Sequence, residues 1–255
     1  MDDRSIGVMD SGAGGFTVAR ALRRLAPLEN IVYFGDSRRN PYGERPREEI
    51  VRFAGEIRDF LLARQVKAVV IACNTITFNV PPSFFEAPVP VIGMSTDFSS
   101  LPPVRKAAVF ATPASIAAHA HRRAMKAALP GAEIIEVPCE GLAHAIETCV
   151  PRETILAIVA AAIKKFGASG AEAAVFGCTH YPLVRDVFEE LMPETYFLDP
   201  AEKTAEDAMA ALRAADAESG ARRGDVFYFS SERENAEKLA EKVFGEAVPV
   251  RLAEL

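Results

Sequence analysis

Positive charge is in deficit, cysteine is scarce and no apolar stretch is long. Lysine and arginine number 29 against 35 aspartates and glutamates, a formal net charge of -6, and the basic residues are scattered. Such a surface offers no continuous groove for nucleic acid. Four cysteines (Cys73, Cys139, Cys149 and Cys178) are too few and too spread over 255 residues for a disulfide framework. The default for each is an inert, buried thiol. The longest apolar run, Ile155 to Ile163, ends after nine residues at Lys164 and Lys165. A membrane span needs roughly 20. The first residues, MDDRS, are acidic and lead straight into a strand pattern, so they do not read as a signal peptide. A soluble, cytoplasmic protein is expected, with a small molecule or another protein as partner and with neither nucleic acid nor membrane.

Hydrophobic residues at 49% and charged residues at 25% exclude a disordered or fibrous chain. Short runs rich in Val, Ile and Phe alternate with helical patterns. Strands are expected at Ile6–Met9, Ile31–Phe34, Ala68–Ala72, Ala107–Ala111, Glu133–Val137, Ala173–Phe176 and Val226–Ser230. Helices are expected at Phe16–Leu25, Arg47–Arg64, Glu153–Lys165, Ala201–Ala215 and Glu232–Phe244. This alternation predicts an α/β protein with mostly parallel sheets. The charged helix from Arg47 reads as a solvated face.

The pattern also repeats. Asp10, closing the first strand, lies 63 residues before Cys73, and Thr112 lies 66 residues before Cys178. Each half runs from an opening strand with a polar turn to an apolar strand ending in cysteine, VVIACNT and AAVFGCTH. Two related α/β domains follow from that spacing: residues 1–97 with 208–255, and residues 98–207. The Pro-rich stretch from Pro81 to Pro103 is the expected crossing.

In parallel α/β sheets a ligand sits beyond the carboxyl ends of the strands. Four such ends switch from apolar to small reactive residues: Asp10-Ser11-Gly12, Gly35-Asp36, Cys73-Asn74-Thr75 and Cys178-Thr179-His180. The turn DSGAGG, Asp10 to Gly15, either brings backbone N–H groups to an anion or is a plain βα turn capped by Ser11 or Asp10. It matches neither a phosphate loop, for want of a lysine, nor a dinucleotide fingerprint. A thiol between a strand and a helix is expected to sit below the ordinary value of about 8.5, and His180 can shuttle a proton to Cys178 or to a substrate carboxylate. Two equivalent acid–base groups across a cleft suit inversion of a hydrogen-bearing stereocentre, one removing a proton and the other delivering one to the opposite face. Gly-rich backbone, Asn74, Thr75 and Thr179 are candidate donors for the resulting carbanion. A metal site from Cys73, Cys178 and His180 lacks any short-range ligand pair, and His119, His121 and His144 lie in helix-like patterns. A redox dithiol is disfavoured because active pairs lie close in sequence.

DSGAGG, GDSRRNPYG (Gly35 to Gly43), ACNT (Ala72 to Thr75) and GCTHYP (Gly177 to Pro182) together resemble glutamate racemase, from about Ile6 to Asp199. Cys139 followed by Glu147 resembles a further segment of that family. The resemblance implies two pseudo-symmetric α/β domains with the active site in the cleft between them, and a cytoplasmic isomerase making D-glutamate for peptidoglycan. Cys73 would be the base toward the D-enantiomer and Cys178 toward the L-enantiomer, assisted by Asp10 and His180. Ser11, Pro41, Tyr42, Gly43, Asn74, Thr75 and Thr179 would hold the amino acid, together with Asp10 and His180. Asp36, Glu147 and Thr112 are weaker candidates. Neither pyridoxal phosphate nor metal is implied, and a homodimer is. The chain departs from the family pattern at Ile76, Phe78 and Pro81-Pro82, in MSTDFSS after Gly93, and at Ser115, where a threonine is usual. An aspartate racemase and a non-catalytic amino-acid-binding protein on the same scaffold are the alternatives.

Overall fold

The computed structural model describes residues 2–255. The chain begins with β1 (Ile6–Asp10), α1 (Phe16–Leu25), β2 (Ile31–Gly35), α2 (Arg47–Ala63), β3 (Ala68–Ile71), α3 (Asn74–Asn79) and β4 (Val91–Ile92). It continues with β5 (Lys106–Ala111), α4 (Pro113–Ala117), α5 (Ala120–Ala128), β6 (Glu133–Pro138), α6 (Leu142–Glu147), α7 (Arg152–Phe166), β7 (Ala173–Gly177), α8 (Arg185–Leu191) and β8 (Tyr196–Leu198). The last elements are α9 (Ala201–Ala214), β9 (Val226–Phe229), α10 (Arg233–Phe244) and β10 (Val250–Leu252). Among the described residues no helix is long and apolar enough to cross a membrane.

Two sheets form, ordered β10-β9-β2-β1-β3-β4 and β6-β5-β7-β8, and the strand pairs in both are parallel. Parallel strands carry helices on both faces, which explains their unbroken apolar character: every residue of β1 and of β7 is buried. The two sheets share a topology. β1 lies between β2 and β3, with β4 outside; β5 lies between β6 and β7, with β8 outside. Cys73 follows β3 and Cys178 follows β7, so the thiols occupy equivalent positions in two α/β domains.

The helices cover the sheets with stripes of the expected period. Ile50, Phe53, Ala54, Ile57 and Leu61 form the buried face of α2, at the spacing of an amphipathic helix. That helix therefore covers one face of the first sheet and is more than the solvated face its charges suggest. Phe16 of α1 packs on Tyr33, Phe227 and Phe229 at ring separations of 4.9 to 5.6 Å, tying the C-terminal strands to the first domain. Phe188 packs on Phe110, Phe176 and Phe197 in the second. Helix α9 packs along α1 and runs unbroken through residues 207 and 208. The chain thus crosses back to the first layer before Ala201, earlier than the boundary at 208 read from the sequence, which would cut this helix.

One buried ion pair anchors the amino-terminal edge of the first sheet. Lys67, just before β3, is fully enclosed and lies 2.6 Å from Glu29, while its ammonium donates to the Asp2 carbonyl at 2.7 Å. Removing one partner strands the other as a lone buried charge. Lys67→Met is expected to lower the unfolding free energy by about 3–5 kcal/mol, read by urea denaturation. Adding Glu29→Leu should recover at least about half of that loss. A single variant as stable as the parent would contradict this account.

Candidate active site

The carboxyl ends of β1, β3, β5 and β7 meet at the cleft between the domains. There a nearly closed cavity of about 10 Å³ is lined by Ser11, Asn40, Pro41, Tyr42, Gly43, Cys73, Asn74, Thr75, Thr112, Ala143, Cys178, Thr179 and His180. Larger hollows lie at Asp2, Arg4 and Arg223 and beside Pro138 and Lys165, but neither brings two thiols together. Both Cys73 and Cys178 face the small cavity, 5% and 6% exposed.

The thiols have unlike neighbours. Cys73 donates to Ser11 Oγ at 3.7 Å and stands beside Asp10. Burial, reinforced by the Asp10 carboxylate, pushes this thiol well above its ordinary value. The expected lowering by the following helix is therefore overturned at Cys73: α3 has only six residues, and loss of solvent outweighs its dipole. Asp10 accepts the Gly15 N–H at 2.8 Å, and its second oxygen is buried without a partner. Burial raises the Asp10 carboxyl as well, against the opposing pull of His180 and the Gly15 N–H.

Cys178 lies 3.8 Å from Nδ1 of His180, whose Nε2 donates to Glu147 at 2.5 Å. Burial alone would pull this imidazole down, but Cys178 and Glu147 on either side together hold it well above its ordinary value. Glu147, from α6 of the second domain, also accepts the Ala13 N–H of the first at 2.9 and 3.1 Å. The Gly-rich turn does approach an anion, and that anion is a side chain of the protein itself.

Close approach explains the glycines there. A Cβ on Gly12 would lie 2.7 Å from the Glu147 carboxylate, one on Gly14 2.7 Å from Thr179 Oγ1, and one on Gly43 2.6 Å from Thr112 Cγ2. At each point bare backbone of the first domain meets a side chain of the second.

Asp36 is buried behind the cavity wall. It accepts from Tyr42 Oη and from Ser230 Oγ at 2.7 Å, and pairs with Arg39. Tyr42 thus presents its ring to the cavity and not its hydroxyl. Thr75, Thr112 and Ser115 share a hydroxyl cluster, with Thr75 and Thr112 at 2.9 Å. Sequence reasoning missed Asn40, which donates to the Ser11 carbonyl at 3.2 Å, and Ala143. Asn40 lay inside the quoted GDSRRNPYG segment; Ala143 carries no chemical signal. Cys139 and Cys149 stay away from the cavity; Cys139 is buried, which pushes its thiol up, whereas Cys149 is exposed, against the buried default. Among the described residues no group of three or more His, Cys, Asp and Glu is placed to hold a metal ion. Two thiols and one imidazole thus border the same enclosed space, and each is a group able to exchange a proton with an occupant.

Residues 6–208 match the pattern of a family described as Asp/Glu/Hydantoin racemase. A glutamate racemase of Thermoanaerobacter pseudethanolicus is 35% identical over 253 residues, covering 97% of this chain and 96% of that protein. The crystal structure of glutamate racemase isoform RacE1 from Bacillus anthracis superposes with a TM-score of 0.89 at 28% identity, over 100% of this chain and 99% of that one. A glutamate racemase from Francisella tularensis in complex with D-glutamate gives 0.87 at 28% identity, over 100% and 98%.

The raised imidazole makes stability depend on pH in a defined direction. A group raised on folding contributes fully below its unfolded value, 6.5 for His180, and loses that contribution as pH rises through the folded value. Unfolding free energy should fall above neutrality by up to about 1.4 kcal/mol per pH unit. In Glu147→Gln the decline should flatten. Urea denaturation in steps from about pH 6 to about pH 10 measures both, and identical slopes would contradict the assignment.

Proposed function

The chain belongs to the Asp/Glu/hydantoin racemase family and is an isomerase, and from that premise we propose that it interconverts L- and D-glutamate without a cofactor, through Cys73 and Cys178. The observation that carries this reading is the pair of thiols at equivalent strand ends, both lining one buried cavity, each with its own acid–base neighbour.

From the L-enantiomer, Cys178 as thiolate takes the α-proton, and Cys73 as thiol gives its proton to the opposite face of the carbanion. Cys178 leaves the step protonated and Cys73 leaves it as thiolate. The D-enantiomer reverses both transfers. Burial favours the protonated form of Cys73, and His180, itself bonded to Glu147, stands beside Cys178. Asp10 and His180 return protons to and from their respective sulfurs between turnovers. Ser11, Asn74, Thr75 and Thr179 hold the amino acid, while Pro41, the Tyr42 ring and Gly43 form a wall. Enclosure strengthens each of these contacts as charge develops next to the carboxylate. A cavity of about 10 Å³ is smaller than any amino acid, so each turnover includes opening of the cleft.

In the cell the reaction would supply D-glutamate for peptidoglycan from a cytoplasmic homodimer, built of residues 1–97 with the C-terminal segment as one unit and the intervening residues as the other. Aspartate is the competing substrate on this scaffold. In heavy water with no added cofactor, L-glutamate should lose optical activity and gain deuterium at Cα, and aspartate should do so far more slowly. Cys73→Ala and Cys178→Ala should each reduce racemisation by at least about a hundredfold. Undiminished rates in both variants would refute the two-thiol mechanism.

A further inference from the structure

His121 is buried on α5, outside the reactive cavity. Its ring stacks on Phe98 at 6.3 Å and meets the edge of Phe78 at 4.6 Å. Its Nε2 lies 3.0 Å from Oδ1 of Asn74, and its Nδ1 has no partner. Asn74 follows Cys73 directly and lines the cavity, yet its Nδ2 is also buried without a partner. The end of β7 is shaped around the same ring: a Cβ on Gly177, the residue before Cys178, would lie 3.1 Å from His121 Nε2.

Burial pulls this imidazole down to about 4, so at neutral pH it carries one ring proton. Two arrangements of the contact exist. In the first, Nε2–H donates to Oδ1, the ring's Nδ1 is an unmet acceptor, and the amide NH2 is left for an occupant of the cavity. In the second the amide is flipped: the ring N–H at Nδ1 is buried without an acceptor, and a carbonyl oxygen faces the cavity. A carbonyl oxygen facing the cavity would repel a carboxylate, whereas the NH2 would find in it the acceptor it lacks. The first arrangement is the one compatible with an anionic amino acid.

We propose that His121 is a positioning residue that locks the Asn74 amide with its NH2 toward the cavity, where it donates to a carboxylate of the substrate. This rests on the amino-acid racemase reading above. His121 touches no reacting atom and acts through Asn74 alone.

The test is steady-state racemisation in both directions by the full chain carrying His121→Phe or His121→Gln. Phenylalanine keeps the packing on Phe78 and Phe98 and removes the donor; glutamine places an amide N–H near the position of Nε2. His121→Phe should raise KM about tenfold, equivalent to about 1.4 kcal/mol, with kcat within about threefold of the parent, as expected for lost ground-state binding. His121→Gln should restore KM to within about threefold. On an Asn74→Ala background, His121→Phe should add nothing further. An unchanged KM in His121→Phe overturns the proposal. So does an equal rise on the Asn74→Ala background, or a joint loss of kcat and thermal stability in both His121 variants, which marks a packing role. A parent protein that fails to racemise glutamate overturns the functional reading itself and is seen before any variant is measured.

Discussion

The Glu147 carboxylate is the contact on which the geometry of the cleft depends. It is held out of water by two domains at once, accepting the Ala13 N–H from the first and His180 Nε2–H from the second. A buried carboxylate is tolerable only when charge-assisted donors replace its hydration, and this one finds them only when the Gly-rich turn and the His180 segment are brought together. The same bond fixes which nitrogen of His180 faces Cys178. One carboxylate thus orients the imidazole within the second domain and ties that domain to the Gly-rich turn of the first.

The fold is symmetric where the chemistry is not. Two sheets of matching strand order deliver two cysteines to one cavity, but Ser11 and Asp10 attend one while His180 and Glu147 attend the other. Mirror-image substrates present their α-hydrogens to opposite walls, and a protein made of L-residues cannot build mirror-image walls. Equivalent placement with different acid–base neighbours is compatible with that constraint: both sulfurs border one cavity, and each has neighbours of its own.

Much of this was legible in the sequence, for physical reasons. Strands buried on both faces read as continuous apolar runs, and their abrupt switch to small polar residues marks the ligand edge, so Cys73 and Cys178 stand out by position as well as by type. β4, β8 and β10, of two or three residues each, are too short for any period to register. Glu147 reads only weakly because it lies on a short helix, and its significance comes from a contact 134 residues away in sequence. His121 lies in an ordinary helical pattern, and its link to Asn74 is a tertiary contact with no local signature. The expectation for the Cys73 thiol failed because a dipole argument is local, whereas burial and the Asp10 charge are products of the whole fold. The sequence leaves the Gly-rich turn open between an anion site and a plain βα turn, because the anion it meets, Glu147, comes from a distant part of the same chain.

The three glycines along the seam have a thermodynamic consequence of their own. Where Gly12, Gly14 and Gly43 abut Glu147, Thr179 and Thr112, one side of the junction has no rotamers to freeze. Ordering a long side chain takes up to about 2 kcal/mol, and here only half of each touching pair bears any such penalty. A boundary built this way can be made and unmade at every visit of a ligand with little entropy to surrender, and it still shuts tightly enough to keep bulk solvent out.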